Sequence, residues 1–219
     1  MSEFDAWIGR SISVTDVLEP ARSNVLDVAL GGAGTGVSGD VLPLLHHWLY
    51  FWDVKGPADL GEDGHPAKGG FLPPVPLPRR MWAGGRLSFA KPLSLGQTVT
   101  KTSTIMGVKE KTGSTGKLVF VTVRHELDAG AGVAISEEQD LVYREAAINS
   151  LPMPIAAPAP TVAWHEEVLP DPVLLFRYSA LTMNGHRIHY DRPYAVGEEA
   201  YPALVVHGPL QATLLAAIA

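Results

Sequence analysis

Polar and apolar positions alternate most clearly in the middle of the chain, where they predict a β-sheet. Four runs rich in valine, threonine and isoleucine, typical of strands, cover residues 86–89, 98–108, 117–127 and 133–144. Glycine-containing turn sequences separate them. The run at 98–105 alternates weakly, whereas 118–123 is more continuously apolar and predicts a more buried strand. The pattern indicates a meandering antiparallel sheet.

The segment before the sheet has a different pattern. Residues 42–52 are apolar and aromatic on nearly all sides, which predicts a buried helix beginning near Pro43. The following segment, 56–78, is rich in proline and predicts a long irregular loop, of a kind that often carries function. We therefore predict an α+β fold for this part of the chain, with one buried helix packed against the sheet.

A proline-rich stretch divides the chain. Residues 151–161 have the composition of an extended linker, so we predict a domain at 1–146, a linker at 147–162 and a second unit at 163–219. In that unit we expect a strand at 173–181, a polar loop at 184–194 and a helix at 205–219. One strand and one helix cannot bury their own faces. We therefore expect the helix to pack on another unit, or further residues to follow Ala219.

Composition and charge narrow the function. With 46% hydrophobic and 18% charged residues, the chain has the composition of a globular protein. With a net charge of −6, the chain has no broad positively charged surface for binding nucleic acid. The absence of cysteine excludes disulfides and thiolate chemistry, and it favours a cytoplasmic location. The amino terminus does not read as a secretory signal, and the uncharged segment 200–219 contains prolines and a histidine. We expect neither export nor a membrane span.

The densest group of chemically active side chains follows the strand predicted at 173–181. Within eight residues the chain places Asn184, His186, Arg187, His189, Tyr190 and Asp191. Histidine suits proton transfer near neutral pH, and an amide five residues earlier can hold a water or a carbonyl beside it. The alternative is a solvated loop whose histidines cap nearby elements. Because loops at strand ends carry sites disproportionately, we keep both interpretations.

Two further features are candidates. His207, Gly208 and Pro209 begin the last apolar helix, where backbone N–H groups and the helix dipole favour developing negative charge; plain helix initiation is the alternative. Arg79 and Arg80 follow the proline-rich loop and suit a phosphate or a carboxylate, or are merely solvated. Metal-ligand spacings, P-loops, GxSxG and dinucleotide fingerprints are absent from the sequence, so we expect no cofactor.

On these residues the sequence resembles a known family. Residues 176–191 and 201–211 resemble the MaoC-like (R)-specific enoyl-CoA hydratases of the hotdog fold. The branch that is most similar contains mesaconyl-C4-CoA hydratase, itaconyl-CoA hydratase and the mitochondrial 3-hydroxyacyl-thioester dehydratase. Residues 1–146 resemble the same proteins more loosely, through element order. The resemblance implies a double hotdog, with each sheet wrapped around a central helix. The resemblance leads us to expect that the second hotdog is incomplete in this sequence and that further strands, of about sixty residues, follow Ala219.

The resemblance also implies site residues. In the family an aspartate and a histidine five residues apart activate the water, and a backbone N–H at a helix start polarises the thioester carbonyl. His189 matches the histidine and Gly208 the helix-start glycine, but the aspartate position falls on Asn184. An amide orients water but cannot accept its proton. His189 is therefore expected to be the principal base, with Asn184 holding the water and Asp191 orienting a neighbouring group.

The substrate implied is an acyl-CoA thioester. His186, Tyr190, Asp191 and His207 are expected beside it, and the arginines are expected to anchor CoA phosphates or a distal carboxylate: Arg79, Arg80 and Arg187. The reaction implied is reversible hydration of a short branched or dicarboxylic enoyl-CoA, of mesaconyl-C4-CoA or itaconyl-CoA type. The alternatives are a (R)-3-hydroxyacyl-thioester dehydratase of fatty-acid synthesis, a non-catalytic acyl-CoA-binding protein and, less favoured, a thioesterase. A homodimer is compatible with the fold.

Overall fold

The computed structural model describes residues 3–113, 116–146 and 167–217, and its centre is a five-stranded antiparallel sheet. The strands are β1 (Ser11–Val17), β2 (Arg79–Phe89), β3 (Thr98–Gly113), β4 (Gly116–Asp128) and β5 (Val133–Arg144). Their order in the sheet is β1-β3-β4-β5-β2, and all pairs are antiparallel. The predicted antiparallel sheet is confirmed, and β3, β4 and β5 form a meander, but β2 pairs with β5 and not with β3, the next strand along the chain. Only the last four residues of β2, 86–89, were predicted as strand, and β1 was not predicted.

Along the described chain, one α-helix lies between β1 and β2, and the others follow β5. The helices are α1 (Pro20–Ala29), α2 (Pro172–Leu181), α3 (Arg192–Gly197) and α4 (Gly208–Ala217). Single 3₁₀ turns lie at Asp5–Trp7, His46–Leu49, Pro57–Asp59 and Arg187–His189. The helix predicted at 205–219 is confirmed as α4, whereas the predicted linker at 147–162 lies outside the described residues. A membrane-crossing helix, judged by length and apolarity, does not occur in the described segments.

The helix predicted over residues 42–52 is wrong. Only His46–Leu49 forms a 3₁₀ turn, and the chain leaves the helical region on both sides of it. Leu45 and Phe51 have φ angles of 65° and 61°, which right-handed helices do not contain. The segment is nevertheless buried, as its composition indicates. The helix that packs against the sheet in the first half of the chain is α1 instead.

The strand predicted at 173–181 is also wrong, because this segment is helix α2. Asp171 caps the helix, with its Oδ1 accepting the backbone N–H of Leu174 at 2.8 Å, and Pro172 occupies the first turn. These start signals outweigh the continuous apolar run that suggested a strand. The polar loop predicted at 184–194 contains the 3₁₀ turn Arg187–His189, and α3 begins at Arg192.

The sheet buries one face, and the middle of that face is polar. One apolar cluster includes Val99, Leu127 and Ile135 together with residues of α1, α2 and α4. A second cluster lies further along the same strands around Ile105 and Tyr143. Between the clusters, at positions that point to the same face by strand alternation, lies an inner polar patch formed by Lys101, Ser103, His125, Glu137 and Gln139. Polar side chains at core-facing positions mark this region as a candidate site.

Candidate active site

A cavity of about 480 Å³ separates the inner polar patch from the loop that follows α2. Its sheet wall contains Lys101, His125, Glu137 and Gln139. The opposite wall comes from three segments that are distant in sequence: His65 of the proline-rich loop, Asn184 and Gly185 of the loop after α2, and Pro209 of the first turn of α4. The cavity therefore joins both halves of the chain.

The two loops touch through their backbones. A Cβ on Gly64 would lie 2.0 Å from the carbonyl oxygen of Gly185, and a Cβ on Gly185 would lie 2.5 Å from the carbonyl oxygen of Gly64. Gly64 also has a φ of 85°, which favours glycine. The backbone N–H of Arg187 donates to the carbonyl oxygen of Asp63 at 2.9 Å. Only glycines allow this approach, and it fixes the proline-rich loop against the loop after α2.

His189 is buried next to His186 and His207 and is not one of the residues that line the cavity. Its Nδ1 lies 2.7 Å from the carbonyl oxygen of Val205. Because a carbonyl oxygen only accepts, Nδ1 carries the hydrogen and Nε2 keeps its lone pair. Burial lowers the pKa of His189 to about 4. The imidazole is therefore neutral at pH 7 and has the tautomer of a base.

Asn184 lies at the cavity wall and its side chain is fixed by a local turn. Its Oδ1 accepts the backbone N–H of His186 at 3.0 Å, and its own N–H donates to the carbonyl oxygen of Ser179 at 2.8 Å. Its Nδ2 has no hydrogen-bond partner in the described part of the chain. The amide nitrogen is thus a donor for a group bound in the cavity.

Helix α4 begins beside Asn184. Its first residue, Gly208, packs so closely under Trp82 that a Cβ there would lie 2.4 Å from Cε3 of the indole. Pro209 lines the cavity. His207, just before the helix, is fully buried, bonds to Ser179 through Nε2 at 2.8 Å and stacks on His189 with ring centroids 3.7 Å apart. Through Pro209, the first turn of α4 therefore lies at the border of the cavity.

Several residues predicted to bind substrate hold the loops instead of lining the cavity. The buried Arg79 pairs through Nε with Glu199 at 2.8 Å. Arg187 pairs with Asp191 at 2.7 Å, and Asp191 also caps α3. Tyr190 donates its hydroxyl hydrogen to the carbonyl oxygen of Gly185 at 2.9 Å. These contacts fix the loop after α2 and the segment that follows it.

The sequence analysis missed a carboxylate–imidazole pair in the proline-rich loop. His65 binds Asp63 twice, through Nδ1 to Oδ2 at 2.9 Å and through its backbone N–H to Oδ1 at 3.0 Å. Burial raises the pKa of Asp63, but hydrogen bonds from His65 outweigh it and hold this pKa well below its usual range. Burial lowers the pKa of His65, although Asp63 opposes that shift. The sequence did contain a signal for this pair, because an aspartate and a histidine flank Gly64 in the proline-rich loop, and long loops of this kind often carry functional residues.

The same pair lies against His186, whose ring centroid is 4.2 Å from that of His65. Asp63, His65 and His186 bring metal-ligand atoms within 4.8 Å of one another. Two observations favour a hydrogen-bonded cluster over a metal site. Both oxygens of Asp63 already bind His65, and the predicted anchor Arg80 lies close enough for its positive charge to lower the pKa of all three groups.

The inner polar patch combines a satisfied carboxylate with an ammonium that lacks an ion pair. Glu137 is 1% exposed and accepts from His47 at 3.1 Å, Trp48 at 2.9 Å and Gln139 at 2.7 Å. Lys101 is half-buried and lies over the ring of Phe51, and in the described residues it has no carboxylate within 4.0 Å. Burial lowers its pKa, although Glu137 raises it. The sheet wall therefore presents a cation to the cavity.

The sequence is similar to proteins of one enzyme family. The profile of the family described as "hydroxyacyl-thioester dehydratase type 2" matches residues 45–219. A mesaconyl-C(4)-CoA hydratase of Chloroflexus aurantiacus is 46% identical over 220 residues, which cover 100% of this chain and 79% of that protein. The mitochondrial hydroxyacyl-thioester dehydratase type 2 of Schizosaccharomyces pombe is 31% identical over 192 residues, covering 77% of this chain and 63% of that protein.

Solved structures share the fold at low sequence identity. A MaoC-like dehydratase from Phytophthora capsici superposes with a TM-score of 0.66 and 13% identity, covering 100% of this chain and 76% of its own. HtdX of Mycobacterium tuberculosis superposes with a TM-score of 0.62 and 15% identity, covering 93% and 76%. The predicted α+β hotdog class is confirmed by these likenesses.

Proposed function

We infer the function from one premise: the chain belongs to the hydroxyacyl-thioester dehydratase type 2 family. The observation that carries the inference is the 46% identity, along the entire chain, to a mesaconyl-C(4)-CoA hydratase. The chain is a hydro-lyase of that type, which adds water reversibly across the double bond of an enoyl-CoA. The dehydratase of fatty-acid synthesis and the non-catalytic binding protein are not favoured by this similarity.

The reaction makes three chemical demands. A base must take a proton from water, the α-carbon must gain a proton, and donors must stabilise negative charge on the thioester oxygen. We propose that the neutral His189 is the base for water, acting through Nε2. We propose that the Nδ2 of Asn184 orients the water. Support comes from the fixed tautomer of His189 and from the place of Asn184 on the cavity wall.

We propose that the thioester oxygen binds at the start of α4. First-turn N–H groups have no partner within their own helix, and the helix dipole favours negative charge at that end. The place of Pro209, the second residue of α4, at the cavity supports this assignment. The oxygen would then lie on the same side of the cavity as Asn184.

The substrate carboxylate needs a cation. A mesaconyl thioester keeps one free carboxylate, and the sequence analysis assigned this partner to Arg79, Arg80 or Arg187. Arg79 and Arg187 are already paired with Glu199 and Asp191. We propose Lys101 instead. Its ammonium faces the cavity, and within the described residues it has no ion-pair partner. It is also half-buried, and an ion pair with a carboxylate is stronger where water is partly excluded.

Replacing Lys101 by methionine is expected to raise the KM for mesaconyl-C4-CoA about tenfold, the effect of losing roughly 1.4 kcal/mol of ion pairing. The KM for crotonyl-CoA, which lacks the carboxylate, should stay within about twofold of wild type. Steady-state kinetics with both esters measure this. Lys109→Met, at an exposed position of the same strand, is the matched control. An equal change of KM for both esters would contradict the role of Lys101.

The proposed function is tested by the absorbance of the enoyl thioester. We expect the purified protein to remove this absorbance with mesaconyl-C4-CoA, and more slowly with itaconyl-CoA and crotonyl-CoA. A thiol reagent in the same assay detects free CoA, the product of a thioesterase. Binding of mesaconyl-C4-CoA without loss of absorbance would contradict the hydratase and indicate a binding protein.

Other properties remain proposals from the sequence. We propose that the reaction needs no metal or redox cofactor, since the acid–base groups named above meet its chemical demands. Arg80 remains a proposed anchor for CoA phosphates, and His186 and His207 remain proposed to support the substrate site. A homodimer and a cytoplasmic location likewise stay predictions.

A further inference from the structure

Hydration moves two protons, and the loop after α2 provides one clear base. Water gives up a proton to His189, while the α-carbon must receive one. The amide of Asn184 neither accepts nor supplies a proton at neutral pH. We propose that the Asp63–His65 pair is a second acid–base group of this site and carries the proton of the substrate's α-carbon. The inference rests on the proposed function and deepens it.

The geometry puts His65 at the wall of the cavity, with Asp63 hydrogen-bonded to its Nδ1. His65 lines the same cavity as Asn184 and Pro209. Because its Nδ1 is held by Asp63 at 2.9 Å, the free nitrogen is Nε2. The second bond between the two residues, from the backbone N–H of His65 to Asp63, fixes the carboxylate. His65 is therefore the catalytic residue and Asp63 the positioning residue.

The hydrogen bonds of the clustered histidines indicate which of them holds an extra proton. The cluster contains four imidazoles: His65, His186, His189 and His207. In the described residues, His65 is the member that binds a carboxylate, whereas His189 binds a carbonyl oxygen and His207 a serine hydroxyl. An imidazolium is stabilised by a carboxylate far more than by a neutral acceptor. A proton held by the cluster therefore resides on His65.

Hydration starts with His65 as the imidazolium and His189 as the neutral imidazole. Burial lowers the pKa of His65, and the carboxylate of Asp63 stabilises the imidazolium against that shift. Nε2 of His189 takes a proton from water while the water oxygen bonds to the β-carbon. The electron pair of the double bond moves toward the thioester oxygen as an enolate and then takes the proton from Nε2 of His65. His189 is left as imidazolium and His65 as neutral imidazole. Dehydration is the reverse: His65 removes the α-proton and His189 protonates the departing hydroxyl.

A path exists for resetting the cluster. The ring of His186 lies between the two catalytic imidazoles, with its centroid 4.2 Å from that of His65 and 5.4 Å from that of His189. Transfer of one proton from His189 to His65, through His186 or through water in the cavity, restores the starting state. Burial lowers the pKa of His186 to about 3, so its imidazole is neutral at pH 7. In this role it passes a proton from His189 to His65 without keeping it.

The test uses dehydration of the hydroxyacyl-CoA carrying hydrogen or deuterium at the α-carbon. His65→Gln is expected to lower kcat about 100-fold, a typical loss for one acid–base group, with KM within about twofold of wild type. The kinetic isotope effect on kcat should increase, because α-proton transfer becomes rate-limiting. Asp63→Asn should lower kcat less than His65→Gln. Imidazole added to His65→Ala should restore part of the rate. Asp59→Asn, an exposed aspartate of the same loop, is the control.

The possible results separate this inference from the proposed function. An active wild type together with an unimpaired His65→Gln variant would overturn the inference alone. A loss of kcat with an unchanged isotope effect would also overturn it, since His65 would then only hold the loops together. Loss of wild-type activity in a chelator, restored by Zn²⁺, would replace the pair with a metal site. An inactive wild type would overturn the proposed function as well.

Discussion

Replacing His189 by alanine is expected to lower kcat for hydration of mesaconyl-C4-CoA by about 1,000-fold, within the range of general-base catalysis. The variant loses the Nε2 lone pair that takes the proton of water. It also loses the bond from Nδ1 to the carbonyl oxygen of Val205. His189→Asn keeps a donor for Val205 without providing a base, so it should be equally slow and better folded. Turnover near the wild-type rate in either variant would contradict the assignment.

The rate of hydration is expected to decrease only at acidic pH. His189 acts as a base only when it is neutral, and burial lowers its pKa to about 4 from an ordinary value of 6.5. We therefore expect hydration governed by His189 to fall as the pH decreases toward about 4, with no loss near 6.5. A profile of kcat against pH checks this. An acidic limb at 6.5 that disappears in His189→Asn would mean that the imidazole is exposed to solvent.

Replacing Gly208 by alanine is expected to be the second most damaging change. The added Cβ would lie 2.4 Å from Cε3 and 2.7 Å from Cζ3 of Trp82, so either the indole or the start of α4 must move. Overpacking of this kind costs about 1–3 kcal/mol of unfolding free energy. Displacing the N–H groups that bind the thioester oxygen should in addition lower kcat about 100-fold.

Two controls separate these effects. Gly84→Ala, in the same strand as Trp82, adds a methyl group with no atom within 4 Å. It should change kcat by less than about twofold and the free energy of unfolding by less than about 0.5 kcal/mol. Trp82→Leu combined with Gly208→Ala relieves the clash and should recover much of the lost stability. Denaturant unfolding and steady-state kinetics measure both. Wild-type kcat in Gly208→Ala would show that the start of α4 does not bind the developing charge.

The sequence predicted the sheet and α4 because their signals are local. The strands carry β-branched runs separated by glycine turns, and α4 begins with glycine and proline before an apolar run. The errors concern segments whose structure depends on tertiary contacts. The aromatic run at 42–52 is buried, but residues 45 and 51 have a left-handed backbone conformation that interrupts it. The composition of the run does not indicate these φ angles. In α2, the cap at Asp171 outweighed the apolar run.

The candidate site was predicted only in part for the same reason. The polar loop after α2 is continuous in sequence, so Asn184 and His189 could be found together. Asp63 and His65 come from a loop more than a hundred residues earlier, and only the close approach of Gly64 and Gly185 brings them to the cavity. Lys101 was not predicted as a site residue, because the weak alternation of residues 98–105 does not show which face of the strand is buried. Pairing in the sheet places it on the inner face.

The mass of the product formed from mesaconyl-C4-CoA in ¹⁸O-labelled water shows whether the protein is a hydratase that uses His189 as its base. The account predicts that wild-type protein converts the ester to a hydroxyacyl-CoA that has gained one molecule of labelled water, with the thioester intact. It predicts that His189→Asn forms this product at about a thousandth of the wild-type rate. Free CoA together with a labelled carboxylic acid, or an unchanged ester, would contradict it.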